Sequence, residues 1–326
     1  PEAHLHPQRQ LRLMQFLAAQ SHGSGTDGEH EIQIVLSTHS PNLASSIPLD
    51  SLVLISGSKG FTLARGHTEL STDDYRFLQR FLDVTKANLF FARGVIIVEG
   101  DAENILLPTL ARMIDMDLSA HGVSIVNVGG IGLRRFARIF QRKRAQVDGQ
   151  ISIPVACLTD MDVMPDCAPE IVGKTKPFPA INKRRWRMKS DFEEGELAIR
   201  REAIRAKASG QFVETFVSDE WTLEYDLALH GLAEEVWIAA TLARADEKIN
   251  EADKNENIFR TVRAAKASFQ EKQAECGSSE ELASYVYSFF TNSPKASKSI
   301  AAQYLSEILE WKVERGKYNA AGLAAL

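Results

Sequence analysis

Cysteine is scarce, with only Cys157, Cys167 and Cys276 among 326 residues. Three cysteines supply neither a disulfide framework nor a zinc ligand set. Cys157 lies inside an apolar run and reads as a small buried hydrophobe, which points to a reducing compartment. Long apolar runs are missing as well. No stretch reaches the ~18 residues of a membrane span, and no charged segment leads into an apolar one at the start. A cytoplasmic protein with no membrane partner is therefore expected. No G-x-x-x-x-G-K-[ST] phosphate loop occurs, nor any Ser-His-Asp, reactive-cysteine or His-rich metal pattern. Excess positive charge is absent too: 38 Lys and Arg face 43 Asp and Glu, a net charge of −5. Any polyanion must then be met by local basic patches or metal ions.

What is present is an alternation. "QRQLRLMQFLAAQ" (8–20) has helical spacing, "SHGSGTDGEH" (21–30) is a polar Gly-rich loop, and "IQIVLST" (32–38) reads as a buried strand. A hairpin is expected around Ser58–Gly60, and a helix over 73–91. From Gly94 strands and helices alternate: "GVIIVEG", "AENILLPTLARMI", "VSIVNVGG", "LRRFARIFQRKRAQ" and "PVACLTDMD", with "QFVETFVSD" (211–219) as a fourth strand. Short continuous apolar runs imply strands covered on both faces, hence a mostly parallel α/β sheet flanked by helices. A Pro-rich, then basic loop or insertion is expected at about 165–210. Beyond residue 230 the pattern is helical, broken by a loop near "TNSPKASKS".

In such sheets chemistry gathers at the carboxyl ends of strands. Glu99 ends the first strand and Glu103 lies one helical turn on; Asp160 and Asp162 follow the third strand, two apart, so that an extended segment can point both to one side. Four carboxylates at one sheet edge repel unless cations neutralise them, and oxygen ligands suit Mg²⁺ or Mn²⁺. Each acid also has a structural reading: Glu103 as a favourable charge at a helix N-terminus, the aspartates as turn residues.

"VEGDAEN" followed by "TDMD" resembles the Toprim domain of topoisomerases, bacterial primases, recombination mediators and certain nucleases. That resemblance makes Glu99, Asp160 and Asp162 metal ligands, and the order Glu-Gly-x-x-Glu, adding Glu103, resembles the nuclease branch. "PEAHLHP" and "STHSPNLASSI" resemble the end of an ABC-type ATPase domain, with His39 as the nucleotide-sensing histidine. On the residues alone, His39 could equally cap the "SPN" turn. The chain opens in mid-motif without Met and reads as part of something longer, so ATP is expected to serve only a full-length parent.

Together the two segments resemble the overcoming-lysogenisation-defect (OLD) nucleases. The resemblance implies the C-terminal part of an ATPase domain over 1–90, a Toprim domain over 91–230 and a helical region over 231–326. It further implies a two-ion Mg²⁺ or Mn²⁺ site, a late lysine for which Lys298 fits and Lys295 competes, and Glu224, with Asp226, near the metals. DNA as substrate, a homodimer, a helicase-like partner protein and a role in phage defence or DNA processing are further implications.

Two basic runs bear on DNA. Arg134, Arg135, Arg138, Arg142, Lys143 and Arg144 lie along one expected helix; Lys183, Arg184, Arg185, Arg187 and Lys189 surround Trp186. Either run suits phosphate contact, the second with base stacking, and either could be a solvated charged face. Gly129, Gly130 and Gly132 do not make a dinucleotide fingerprint and read as a tight turn or a phosphate approach. The competing functions are another Toprim activity, topoisomerase- or primase-like, and a non-catalytic DNA-binding scaffold.

Overall fold

The computed structural model describes residues 5–21, 33–130, 132–246 and 254–316. The Gly-rich loop expected over 21–30 lies almost wholly outside them. Two compact units are formed: Pro1–Ile97, Gly122–Cys157 and Ala208–Glu214 make the first, and Val98–His121, Leu158–Lys207 and Thr215–Leu326 the second. Each has its own apolar core.

In the first unit, α1 (Pro7–Ser21) and α2 (Pro41–Ser46) are joined by Ser40, whose hydroxyl donates to Gln10 Oε1 at 2.8 Å. The expected strand over 32–38 is not formed: residues 33–38 have no regular structure, and Val35 is 86% exposed. An apolar run becomes a strand only where a neighbour takes its hydrogen bonds, and none among the described residues does. The hairpin is present as β1 (Val53–Ser56) and β2 (Lys59–Thr62), turning through Gly57 at φ +60°. The helix expected over 73–91 is shorter. It starts as α3 (Thr72–Phe81) with a capping box between Ser71 and Asp74, stops, and resumes as a 3-10 turn at Lys86–Phe90. Asp83 breaks it by accepting from the Thr85 hydroxyl and the Lys86 backbone N–H, local bonds that compete with the helical ladder.

The main sheet holds β3 (Gly94–Val98), β4 (Val123–Asn127), β5 (Val155–Thr159) and, later in the chain, Val213–Val217, in the spatial order β4, β3, β5, then Val213–Val217. Its strands are parallel, with Val95 opposite Val155 and Ile97 opposite Cys157. Four of the five β3 residues are buried, as a strand covered on both faces requires. α4 (Asp101–Met113) follows β3. The long helix expected after Gly132 is cut to α5 (Leu133–Arg138) and α6 (Ala145–Asp148). Ile139, Phe140, Gln141 and Arg142 are buried in succession, which no single helix face can do.

In the second unit residues 165–210, expected as a loop or insertion, carry regular structure. They hold α7 (Ala168–Ile171) and α8 (Glu196–Arg205), and β6 (Val163–Met164) pairs with β7 (Arg187–Met188). The fourth sheet strand, Val213–Val217, is β8. The remainder is helical: α9 (Leu223–Leu227), a π turn at Ala228–Leu232, α10 (Ala233–Ala245), α11 (Lys254–Glu275), α12 (Ser279–Thr291) and α13 (Lys298–Glu314). α13 packs on α4 and α10, which brings its first turn to the start of α4. No helix among the described residues is long and apolar enough to cross a membrane.

Candidate active site

All the acidic candidates lie in the second unit. Glu99 is the first residue beyond β3, and its Oε2 accepts from the Thr159 hydroxyl, the last residue of β5, at 3.3 Å. Gly100 caps α4, and the Glu103 side chain folds back over it. A Cβ on Gly100 would stand 2.8 Å from Glu103 Oε2, so glycine here makes room for that carboxylate. Glu103 also accepts from its own backbone N–H; helix-end stabilisation and a place in the site are held by one side chain.

β5 ends at Thr159, so Asp160 and Asp162 do not share one side of an extended segment as expected. Asp162 has φ +57°, a left-handed conformation that aspartate tolerates better than most residues. Its backbone N–H donates to the Trp221 carbonyl at 3.1 Å, and that of Met161 to Ser218 Oγ at 2.8 Å. Asp160 Oδ1 accepts from the Leu223 backbone N–H at 3.2 Å. The segment after β8 thus clasps the Asp-x-Asp turn, leaving Asp160 half-buried and Asp162 exposed.

Glu224, buried in the first turn of α9, accepts from Lys298 Nζ at 2.8 Å. Lys298 is the first residue of α13, where the helix dipole disfavours a cation; the Glu224 carboxylate offsets this. Lys295 is exposed in the preceding loop. Asp226 is engaged by backbone: it accepts from the N–H groups of Glu220 and Trp221 at 3.2 and 3.1 Å, bracing the turn that holds Asp162.

The charges feel one another. Burial pushes Asp160 up to about 8, with Glu224, Asp162 and Glu103 adding to the rise against Lys298. Burial also raises Glu99; Thr159 offsets part of this, and Asp162 and Glu103 reinforce it. Glu103 is raised by burial and then by Glu224, with Lys298 opposing. Burial would depress Lys298, but Glu224 outweighs it and the ammonium is held above the ordinary lysine range. Glu99, Glu103, Asp160, Asp162, Glu224 and Lys298 therefore form one electrostatic cluster. Among the described residues, no three Asp, Glu, His or Cys side chains are already closed into a ligating group.

Thr159 and Ser218 were missed from sequence, and Asp226, expected near the metals, is held by backbone N–H groups as a support. The strand-end rule that picks Asp160 also reaches Thr159, which ends β5, and Ser218, the first residue beyond β8.

The basic runs are largely engaged within their units. Arg135 donates to Asp74 at 3.0 Å and lies over the Phe77 ring; Arg138 is 3.8 Å from Asp74; buried Arg142 reaches the Thr62 carbonyl; Arg144 pairs with Asp148 at 3.3 Å. In the insertion, Arg184 pairs with Asp191 and stacks on Trp186, Arg187 donates to the Arg184 and Trp186 carbonyls, and Lys189 bridges Glu220 and Glu280. Arg134, Lys143, Lys183 and Arg185 remain exposed. Gly129 and Gly130, at φ +69° and +77°, form the plain turn. His39 is exposed ahead of α2, in the unit without the acidic cluster.

Comparison with known proteins covers two stretches of the chain. Residues 90–162 match the family model described as overcoming lysogenization defect protein-like, TOPRIM domain. Residues 1–45 match an AAA domain model of the AbiEii toxin, type IV TA system kind. Two stretches of the chain thus match, in order, an AAA domain and an OLD-like Toprim domain. It is 24% identical over 175 residues, 51% of its length, to a protein of Thermus scotoductus named OLD nuclease, and spans only 30% of that relative. Among solved structures it is similar to the C-terminal region of the Xanthomonas campestris OLD protein (18% identity, 70% of this chain, 99% of that one, TM-score 0.28). It is also similar to that of Burkholderia pseudomallei (20%, 67%, 99%, TM-score 0.29). Scores this low carry no structural argument; the α/β fold stands on the elements described above.

Proposed function

We propose that this chain is the nuclease portion of an OLD-type protein, a metal-dependent DNA endonuclease hydrolysing phosphodiester bonds. The observation that carries this reading is the gathering of Glu99, Glu103, Asp160 and Glu224 near Lys298, with burial, and then neighbouring carboxylates, raising the first three. A cluster of like charges that costs stability is retained where it binds cations, and its donor set is wholly oxygen, which fits Mg²⁺ or Mn²⁺. Glu99, Glu103, Asp160 and Asp162, with Glu224, would hold two ions. When bound, such ions lower the pKa of water and stabilise the leaving oxygen. Asp160, raised to about 8, would hold a proton near neutrality and give it up where a cation binds. Lys298, fixed by Glu224, presents a positive charge to the phosphoryl oxygens as negative charge builds there. Thr159, Ser218 and Asp226 hold the acids in register.

The same proposal assigns 1–90 to an ATPase segment, 91–230 to the Toprim domain and 231–326 to a helical region completing the site. His39 would report ATP in a full-length parent. DNA contact falls to Arg134, Arg135, Lys183, Arg184, Arg185 and Arg187, with the exposed ones foremost. A place in bacterial defence or DNA processing, with a homodimer or a helicase-like partner, belongs to this reading too. The test is nicking of supercoiled plasmid in Mn²⁺ or Mg²⁺ without ATP. Wild type should nick, and Glu103→Gln and Asp160→Asn should not; full activity in both variants would overturn the assignment.

A further inference from the structure

Beside the acidic cluster lies a cavity of about 290 Å³ to which Glu103 and Asp160 both contribute. Its walls are Leu107, Leu158, Phe216, Leu223 and Leu227, with His230 also lining it. We propose that this cavity receives an unstacked nucleobase of a bound DNA strand. The inference rests on the nuclease reading above, because it is the phosphate at Glu103 and Asp160 that would bring a base to this place.

Four features favour a base over other occupants. No lysine or arginine lines the cavity, and beyond the two proposed cation ligands it carries Asp219 and Asp226, so a phosphate or other anion is disfavoured in its interior. A neutral ring with apolar faces fits the leucine walls. Asp219, also lining it, can accept from an exocyclic amino group. Finally, Phe216 is 46% exposed although Val213 and Thr215 of the same strand are buried. Its ring is held outward on β8, the last strand in the sheet order, where a base can stack on it.

An aromatic stack returns no more than the unstacking of a paired base removes. The pocket therefore does not open an intact duplex. It selects strands that are already unpaired, at a mismatch, a fork or a single-stranded segment.

The test is competition binding in Ca²⁺ between oligodeoxyadenylate and a base-free abasic chain of equal length. Wild type should favour the base-bearing strand by roughly tenfold or more. Phe216→Ala should remove most of that preference, and Phe216→Tyr, which keeps a ring, should retain it. Equal competition with wild type overturns the proposal and leaves the cavity to another occupant, such as an apolar side chain of a partner protein. A preference unchanged in Phe216→Ala, or no binding of either strand, also overturns it. Plasmid nicking by wild type and Asp160→Asn is scored in parallel. Nicking without base preference removes the pocket alone, whereas base preference without nicking removes the nuclease reading alone.

Discussion

Lys298 Nζ donates to Glu224 Oε2 at 2.8 Å, linking residues 74 positions apart in the chain. The pair ties the first turn of α13 to α9 and sets the only lysine of the acidic cluster against its most buried acid. Removing the ammonium by Lys298→Ala should lower plasmid nicking ~10²-fold or more. Because the Lys298 side chain is 44% exposed, stability should fall by only about 1 kcal/mol. Lys298→Arg should recover part of the rate, since a planar fork replaces a point charge. Nicking rates and thermal unfolding of both variants check this.

Gly100→Ala tests why the motif is Glu-Gly-x-x-Glu. The backbone there, at φ −143°, accepts alanine, so folding should change by no more than about 1 kcal/mol. The new methyl would meet the Glu103 carboxylate and displace it. A shift of that order costs up to ~10²-fold in rate. The expected outcome is a folded protein with nicking reduced at least tenfold and its Mn²⁺ requirement raised.

Cation uptake should depend on pH through Asp160. Its folded pKa of about 8 lies above the ordinary 3.8, so the folded state binds more protons than the unfolded one between these values. The Asp160 contribution to stability in chelator, read as wild type minus Asp160→Asn, should therefore be greatest below the lower value and be lost as pH rises through the upper one. Cation binding must displace that proton, so Mn²⁺ affinity should strengthen as pH rises toward 8, with proton release. Unfolding midpoints in chelator, and titrations in buffers of different ionisation heat, measure both. Asp160→Asn should flatten both dependences.

Arg184 and its neighbours should separate by role. Arg184 and Asp191 are paired with 5% and 7% of their side chains exposed. Arg184→Ala should thus destabilise the insertion by roughly 3–5 kcal/mol, as loss of one partner of a buried pair does. Lys183→Ala and Arg185→Ala, at exposed positions, should leave folding intact. Each should weaken DNA binding and reduce the salt slope by about one. Chemical unfolding and salt-dependent binding distinguish the two kinds.

The α/β alternation from Gly94 onward was legible because β3 and β5 are short apolar runs whose burial follows from composition, while β8 alternates buried and exposed residues as a strand does. Glu99, Glu103 and Asp160 were legible for a related reason: strand ends of one parallel sheet meet at one edge. The turn of Asp162 out of line was not, because it depends on the Trp221 carbonyl, 59 residues further on. Nor was the break after Arg138, where Gln141 and Arg142 are drawn inward by partners at Ala208 and Thr62. The basic spacing of 183–189 suggested an open DNA surface, yet Asp191, Glu220 and Glu280 engage Arg184 and Lys189. Local pattern reports burial and strand ends; it does not report which distant carbonyl or carboxylate claims a side chain.

The central claim is that five carboxylates from three separate stretches form one divalent-cation site. Calorimetric titration of Mn²⁺ into the chain addresses it directly. The account predicts uptake of two ions by wild type, with Glu99→Gln and Asp160→Asn each losing at least one or weakening it ~10-fold or more. Unchanged stoichiometry and affinity in both variants, or no uptake by wild type, would contradict it.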